Sequence, residues 1–349
     1  MTDDPFALRI AGGSSLEDVL MRPLQGMQED LLVVDVGARN GMVIAPGLAR
    51  HAKLLGFEPN VAEFKKLNEH RTDAERAGLT PTTFKQEEYL DCALWSEDSI
   101  RTFFITTGTG ACTLMGEARA PVVRRIWTEG SSMPFGDLHT TVLETAPVSC
   151  RRLDHVVPAG RIVDFLKLDV EGAELEVLRG ASRMLGQGDV LAIKTEFACL
   201  PLYESHPLLG HQQVLLDDYG YRLIDLDLAH LGYTRDRSKI SSLADRRLRY
   251  AGDAFFIVDP DRIALSAEKR HRLGIICVAL GYRSLAMSLF RDAGFLAPAE
   301  LDDVEAALCS TPLRRQLKSA WNEVPNSASR LMVRIARFLG GLKSRRNAG

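Results

Sequence analysis

The chain is poor in paired cysteines: its six cysteines are scattered over 349 residues, and no two form a C-x-x-C pair. Zinc sites and disulfide frameworks require such clustering, so the sequence predicts reduced thiols, as in a cytoplasmic protein. The chain also lacks an uninterrupted run of about 18 apolar residues, so no membrane-spanning helix is predicted. The first ten residues, MTDDPFALRI, contain no long apolar run, and we expect no signal peptide.

The chain has no large excess of charge of either sign, because its formal net charge is −3. Such a balance provides no overall attraction to nucleic acid, and we expect no nucleic-acid partner. The exception is the C-terminal end, where residues 324–349 contain six basic residues and no acidic one. Apolar residues recur there at helical spacing, which predicts a basic amphipathic helix within residues 328–346. Three surfaces suit such a helix: an anionic membrane, the core of the same chain, or a partner.

Strand-like and helix-like segments alternate through the middle of the chain. The apolar run Leu31–Val36 is typical of a strand that is buried on both faces of a sheet, and Arg161–Val170 is predicted to be another buried strand. The alternation predicts an α/β fold with a mainly parallel sheet between layers of helices. Two further runs, 221–227 and 255–258, have no obvious crossover helix between them, which predicts an antiparallel edge of the sheet.

This pattern divides the chain into regions. Residues 1–30 are predicted to be a lead-in with one short helix, and residues 31–262 to be the α/β domain. Within that domain, residues 107–147 lack clear periodicity and are predicted to form a lid or acceptor loop. After Pro260 the pattern is purely helical, so residues 263–349 are predicted to be a helical extension.

A glycine-containing turn follows the first buried strand. The residues D-V-G-A-R-N-G, Asp35–Gly41, precede a predicted helix, and their glycines allow a tight turn and the close approach of a ligand. Glu58 ends the second strand, where an acid in Rossmann-like folds accepts hydrogen bonds from ribose hydroxyls. Each feature alone also fits a ligand-free turn or a solvated acid. Together they predict a nucleoside site in a Rossmann-like domain.

Two nucleoside cofactors suit a site of this kind. A dinucleotide such as NAD requires G-x-G-x-x-G, but Arg39 occupies the position of the second glycine, where a pyrophosphate would approach. S-adenosylmethionine carries no phosphate, so the turn favours this methyl donor. An NAD-dependent enzyme is the alternative.

Acidic residues follow another buried strand. Asp169 comes directly after this strand, and Glu171 and Glu174 are predicted to share one face of the first turn of the next helix. Carboxylates there are suited to accept the proton of a hydroxyl acceptor and to surround a sulfonium cation. One alternative is that Asp169 and Glu196 hold a divalent cation. Another is that the acids only cap the helix, which fits Glu174 best.

Three segments together resemble the FkbM family of methyltransferases. They are LLVVDVGARNG, LLGFEPN and FLKLDVEGAELEVLRGA, and the resemblance covers about residues 31–227. It implies a class I methyltransferase fold, S-adenosylmethionine as donor, and O-methylation of a hydroxyl, often on a sugar or polyketide-type product. It also implies that Asp169, Glu171 and Glu174 belong to the signature acidic motif, with Asp169 and Glu171 as the candidate catalytic residues. The donor-binding residues that it implies are Asp35, Gly37, Ala38, Asn40, Gly41, Glu58 and Pro59, with Asp91, Cys92 and Ala93 near the adenine.

One position departs from the family pattern. The family commonly has D-V-G-A-N-x-G, whereas this chain has Arg39 at the place of the asparagine and Asn40 beside it. Either Asn40 takes over the donor contact through a small backbone shift, or the contact is lost. The sequence thus predicts a cytoplasmic O-methyltransferase that acts by direct in-line transfer. The alternative is a non-catalytic scaffold of the same fold that binds the donor or a glycan.

Overall fold

The computed structural model describes residues 4–10, 13–26, 29–74, 80–118, 140–231 and 248–309. Their strands are β1 (Leu31–Val36), β2 (Ala52–Phe57), β3 (Gln86–Leu90), β4 (Ala93–Leu94), β5 (Ser99–Thr106), β6 (Val142–Arg151), β7 (Val163–Leu168), β8 (Val190–Ala198), β9 (Tyr221–Leu231) and β10 (Leu248–Val258). A seven-stranded sheet has the order β3-β2-β1-β7-β8-β10-β9, and a three-stranded sheet has the order β4-β6-β5.

The large sheet is mainly parallel. Strands β3, β2, β1, β7 and β8 run in one direction, and every side chain of β1 is buried, as expected for a sheet with helices on both faces. Strand β10 pairs antiparallel with both β8 and β9. The predicted α/β fold and the predicted antiparallel edge, at residues 221–227 and 255–258, are therefore confirmed.

The strand order changes direction beside β1. From β1 the chain adds β2 and β3 on one side, and it later places β7 and β8 on the other side. Ligands of open α/β sheets bind at such a switch point, beyond the carboxyl ends of the strands. The segments that follow these ends begin at Gly37, Glu58 and Asp169, so the three sequence motifs meet at one edge of the sheet.

The small sheet contains a strand that the sequence pattern did not indicate. Strand β6 pairs parallel with β4 and antiparallel with β5. Most of its side chains are at least partly exposed, so its sequence shows no apolar alternation and its first residues were included in the irregular segment 107–147. Residues 119–139 of that segment lie outside the described residues.

The helices cover both faces of the large sheet and continue beyond it. They are α1 (Leu16–Met21), α2 (Pro46–Ala49), α3 (Val61–Asn68), α4 (Leu153–Val156), α5 (Glu174–Gly180), α6 (Ser182–Gly186), α7 (Leu209–Asp218), α8 (Ala267–Leu280), α9 (Arg283–Ala293) and α10 (Pro298–Cys309). Helix α1 is the predicted helix of the lead-in, and it begins with a capping box formed by Ser15 and Asp18.

Helix α8 is joined to the core of the sheet by a buried ion pair. Arg272 is fully buried, and its guanidinium donates to the Oδ2 atom of Asp164 in β7 at 3.1 Å. The same oxygen accepts the backbone N–H of Leu32 in β1 at 2.7 Å. Burial raises the pKa of Asp164 to about 6, although Arg272 opposes the rise. A buried charge requires such partners, so α8 belongs to the same packed unit as β1 and β7.

The structure describes only part of the predicted C-terminal helical extension. Residues 267–309 are mainly helical, as the pattern predicts. Residues 310–349, with the basic tail 328–346, lie outside the described residues, so the membrane contact stays a prediction. Within the described ranges, no helix has the length and the apolar character needed to cross a membrane.

Candidate active site

The turn after β1 lies directly against the end of β7. Gly37 has a φ of +81°, and a Cβ atom there would lie 2.0 Å from the carbonyl oxygen of Asp169. The N–H of Asp169 donates to the carbonyl of Val36 at 3.1 Å, which joins the two segments. Position 37 therefore requires glycine for two reasons. Any side chain would clash with the Asp169 carbonyl, and residues other than glycine rarely adopt the left-handed φ found there.

A buried ion pair lies beneath this turn. Asp35 is 1% exposed, and its Oδ1 accepts a hydrogen bond from the Lys167 ammonium at 3.0 Å. The same ammonium lies 3.3 Å from Oδ2 of Asp169. Burial raises the pKa of Asp35, and Lys167 opposes the rise. Burial disfavours the charged Lys167, but the two aspartates outweigh it and raise the lysine pKa. Lys167, to which the sequence analysis gave no site role, thus connects the motifs.

Glu58 is held at the end of β2 by the backbone around it. Its N–H donates to the carbonyl of Leu90 at 3.1 Å, and its Oε1 accepts the N–H of Asn60 at 2.8 Å. No described residue donates to its other carboxylate oxygen. Burial raises the pKa of Glu58 to about 7, while the Asn60 N–H and the charge of Arg39 oppose the rise. The carboxylate is therefore fixed in place and keeps one oxygen for a ligand.

A cavity lies above these residues, and its volume is about 730 Å³ when its open mouth is included. The predicted donor-binding residues that line it are Gly37, Glu58, Pro59 and Ala93, and the predicted catalytic residues Asp169 and Glu171 line it as well. The lining also contains apolar and small residues, among them Leu94, Phe103, Thr109, Gly110, Cys112 and Leu114. We call this space the donor cavity.

The other predicted donor-binding residues do not line the donor cavity; they are Asp35, Ala38, Asn40, Gly41, Asp91 and Cys92. Asp35, Ala38 and Cys92 are buried, and Asp91 is exposed. Asn40 and Gly41 line a separate cavity, beside Pro81 and Tyr89. These six residues support the cavity or lie next to it.

Arg39, rather than Asn40, is the side chain of the turn that lines the donor cavity. Asn40 has a left-handed φ of +68°, and its side chain lines the separate cavity. The structure therefore differs from the expectation that Asn40 takes the place of the family asparagine. The Nε atom of Arg39 lies 3.9 Å from Oε2 of Glu63, which is beyond hydrogen-bond distance.

Glu171 precedes the next helix and is not part of it. Helix α5 begins at Glu174, and Glu171 has a left-handed φ of +54°. The expectation that the two glutamates share one face of a helical turn is therefore wrong. Thr113 stabilises the bend, because its hydroxyl donates to the Glu171 carbonyl at 2.8 Å. Glu174 stabilises it too, since its Oε1 accepts the N–H of Val170 at 2.9 Å.

Three glutamates surround a second, smaller cavity of about 250 Å³ at the ends of β7 and β8. They are Glu171, Glu174 and Glu196, and Glu171 also lines the donor cavity. Burial and the charges of Asp169 and Glu174 raise the pKa of Glu171 to about 8. Burial raises the pKa of Glu174 to about 7, and backbone N–H groups oppose it. Burial, followed by the charges of Glu171 and Glu174, raises the pKa of Glu196 well above its ordinary value.

His206 lines the smaller cavity beside these acids. Its Nδ1 accepts the N–H of Leu202 at 3.0 Å, so the neutral ring carries its proton on Nε2. Burial lowers the pKa of His206 to about 4, which keeps the ring neutral near pH 7. A Cβ atom on Gly172 would lie 3.1 Å from Nε2, so the glycine lets the ring come close. His206 is therefore arranged as a hydrogen-bond donor.

The alternative role of the acids as cation ligands has no support in the arrangement of the side chains. Within the described ranges, no group of three or more His, Cys, Asp or Glu side chains is placed to hold a metal ion. Asp169 and Glu196 line different cavities, and the charge of Asp169 is balanced by Lys167.

Comparison with known proteins identifies a sequence family. The model of the methyltransferase FkbM domain matches residues 35–223, which is more than half of the 349 residues. No curated protein sequence is significantly similar to the chain.

Among solved structures, magnesium protoporphyrin IX methyltransferase (ChlM) from Synechocystis PCC 6803 with bound SAM has 11% identity and a TM-score of 0.29, over 69% of this chain and 76% of that chain. A putative methyltransferase from Thermoplasma acidophilum has 11% identity and a TM-score of 0.29, over 67% and 70%. M. jannaschii TYW2 in complex with AdoMet has 13% identity and a TM-score of 0.24, over 70% and 78%.

Proposed function

The chain belongs to the FkbM methyltransferase family, and we propose that it transfers the methyl group of S-adenosylmethionine to a hydroxyl oxygen of a sugar or another small polyhydroxylated molecule. The observation that carries this proposal is the position of Glu171, a carboxylate that lines both cavities. With the methyl donor in the donor cavity and the acceptor in the smaller one, Glu171 lies where the two meet.

The residues of the donor cavity suit S-adenosylmethionine. Glu58 offers a fixed carboxylate oxygen to the ribose hydroxyls, and Gly37 keeps the adjacent backbone open to the ligand. Leu94 and Phe103 provide an apolar wall for the adenine. When bound, the donor supplies an electrophilic methyl group on a positively charged sulfur.

The lining of the smaller cavity is suited to a hydroxyl group of the acceptor. Glu171, Glu174 and Glu196 provide hydrogen-bond acceptors, and His206 provides a donor. The remaining wall is apolar, with Phe197 and Leu202 among its residues. A hydroxyl both donates and accepts hydrogen bonds, so one hydroxyl of a sugar-like acceptor matches this lining. The rest of the acceptor would remain outside the cavity.

The chain itself has to position the acceptor hydroxyl and take its proton as the new O–C bond forms. We assign the proton to the carboxylate of Glu171, with Asp169 orienting the hydroxyl or taking the proton in its place. Because the pKa of Glu171 is raised to about 8, the carboxylate form increases as the pH rises. The turnover rate should therefore increase with pH up to and through this value and lose that dependence in Glu171→Gln.

A methyl-transfer assay tests the proposal. The full-length protein would be incubated with S-adenosylmethionine labelled in its methyl group and with sugars, phenols and amines, and S-adenosylhomocysteine would be measured by mass spectrometry. We expect label on a hydroxyl oxygen of a sugar-like acceptor and no transfer to the matched deoxy compound. Transfer to nitrogen, or only to phenols, would contradict the proposed acceptor class.

A second candidate function is a non-catalytic scaffold that binds the donor. The observation in its favour is Arg39, whose side chain lines the donor cavity at the position of the family asparagine. The same assay separates the two functions. A scaffold would bind S-adenosylmethionine in calorimetry and release no S-adenosylhomocysteine with any acceptor, whereas the enzyme would release it only when an acceptor is present.

A further inference from the structure

We propose that Arg39 binds the α-carboxylate of S-adenosylmethionine, an inference that rests on the donor site of the proposed function. The residue would then be a donor-binding residue of this chain at a position where the family pattern has asparagine. Three observations point to this role: the charges of the donor cavity, the unpartnered guanidinium Nε, and the glycine beside it.

The charges of the donor cavity complement those of S-adenosylmethionine. Among the described residues that line the cavity, Glu58, Asp169 and Glu171 are acidic, and Arg39 alone is basic. The ligand has two positive groups, its sulfonium and its ammonium, and one negative group, its α-carboxylate. The acids suit the positive groups, which leaves the guanidinium as the partner for the carboxylate. Guanidinium and carboxylate form paired, charge-assisted hydrogen bonds.

The guanidinium of Arg39 is available for a ligand. Its Nε atom is buried and has no hydrogen-bond partner within the described part of the chain. The nearest carboxylate oxygen, Oε2 of Glu63, is 3.9 Å away. Glu63 is already served by Lys66, whose ammonium donates to its other oxygen at 2.9 Å. The Arg39 side chain is 32% exposed and lines the donor cavity, so a bound carboxylate can reach the exposed nitrogens of the guanidinium.

A glycine gives the guanidinium its place on the cavity wall. A Cβ atom at Gly110 would lie 2.9 Å from Nη1 of Arg39. A side chain at position 110 would therefore push the guanidinium away from the wall and into the cavity. Because Gly110 and Arg39 both line the donor cavity, the guanidinium lies at its boundary and leaves space for the ligand.

Calorimetry with two ligands that differ only in the carboxylate tests the assignment. S-adenosylmethionine and its decarboxylated analogue would be titrated into the full-length wild type and into the Arg39→Gln and Arg39→Lys variants. We expect Arg39→Gln to weaken S-adenosylmethionine about 10- to 100-fold, the range of a hydrogen bond to a charged group. Binding of the analogue should be unchanged or stronger. Arg39→Lys should give an intermediate loss, because it keeps the charge without the paired geometry.

Arg291→Gln is the matched control, because Arg291 lies in α9 and pairs with Glu305 outside the donor cavity. It should bind both ligands as the wild type does. Equal or tighter binding of S-adenosylmethionine by Arg39→Gln would overturn the assignment and show that the arginine obstructs the cavity. An equal loss for both ligands would also overturn it.

The wild type separates this inference from the proposed function. If it binds neither ligand, the donor site itself is wrong, and the role of Arg39 is wrong with it. If it binds both ligands equally well, the donor site stands and the carboxylate contact is wrong. This comparison needs no variant, so it holds even if Arg39→Gln fails to fold.

Discussion

At the donor side of the site, defined as the ends of β1 and β2, buried acids have partners. Asp35 lies 3.0 Å from the Lys167 ammonium, and Glu58 accepts a backbone N–H at 2.8 Å. At the acceptor side, defined as the ends of β7 and β8, acids face other acids. Glu171 and Glu196 have pKa values raised by burial and also by their neighbouring carboxylates.

The donor side and the acceptor side therefore contribute differently to the site. The donor side is built to hold a ligand in a fixed position, so changes there should alter affinity and folding. The acceptor side holds carboxyl groups that change protonation near neutral pH, so changes there should alter turnover and pH dependence. The following substitutions are arranged by the size of the effect that this contrast predicts.

Asp169→Asn should produce the largest effect, because it removes the carboxylate that lines the donor cavity beside Glu171 and that we assign to orienting the acceptor hydroxyl or taking its proton. We expect turnover to fall by about 10²- to 10⁴-fold, while the Kd of S-adenosylmethionine changes little. Release of S-adenosylhomocysteine and calorimetry would be measured on the same sample. The exposed Asp302, changed to asparagine, is the control and should retain both properties. Full activity of Asp169→Asn would exclude a catalytic role, and lost donor binding would assign it to the donor side.

Gly37→Ala should distort the backbone turn that follows β1 on the donor side. The new Cβ would lie 2.0 Å from the Asp169 carbonyl, and φ is +81°. We expect a loss of about 2–4 kcal/mol in the free energy of unfolding, measured with denaturant, and no donor binding. Gly160→Ala is the matched control, because φ there is +78° and no atom lies within 4 Å. It should lose only about 1 kcal/mol. Equal losses would refute the steric explanation.

Glu58→Gln should weaken S-adenosylmethionine binding about 10- to 100-fold. The amide has a single oxygen, and the Asn60 N–H donates to an oxygen at this position, so an NH2 group would face the ribose hydroxyls in place of a carboxylate oxygen. The raised pKa of about 7 adds a pH test. The carboxylate that binds the ribose is formed as the pH rises, so wild-type affinity should increase between about pH 6 and pH 8. In calorimetry at about pH 6 and pH 8, the affinity of the variant should not show this increase. A similar increase in the variant would assign the titration to another group.

Glu196→Gln should have the smallest effect and the opposite sign. A raised pKa means that the folded state disfavours the charged form, so stability falls as the pH rises above the unfolded value of 4.5. The neutral variant avoids this loss. Without ligand, it should be more stable than the wild type near pH 8, and the gain should shrink as the pH falls towards the unfolded value of 4.5. Thermal unfolding at pH 8 and at lower pH measures this, with Glu305→Gln as the control. A destabilised variant at pH 8 would contradict the proposed acid–acid repulsion.

The donor side could be predicted from the sequence to a large extent. Buried parallel strands appear as apolar runs, and the glycine turn and the acid that follow two of them place Gly37 and Glu58 at the same edge of the sheet, where both line one cavity. The direction of the neighbouring side chains was not predictable. It depends on the backbone angles at Asn40, and on the space that Gly110 leaves for Arg39.

The acceptor side was less predictable, since it depends on contacts between distant residues. An acidic stretch before an apolar helical pattern is typical of a first helical turn, so Glu171 was placed in the helix. The bend that removes it from the helix is stabilised by Thr113, which lies 58 residues away. Similarly, nothing in the sequence around His206 indicates that Gly172 lies beside its ring.

The ion pair between Arg272 and Asp164 limits how this protein can be divided or recombined. The change from alternating to helical pattern near residue 262 is a change of secondary structure, but the packing continues across it, because α8 contacts β7 and β8. A version that ends at residue 262 would remove Arg272, so the Asp164 carboxylate would lose its guanidinium partner and keep the Leu32 N–H. A catalytic module transplanted into another protein would therefore have to include residues up to 280, and strand β7 and helix α8 would have to be inherited together.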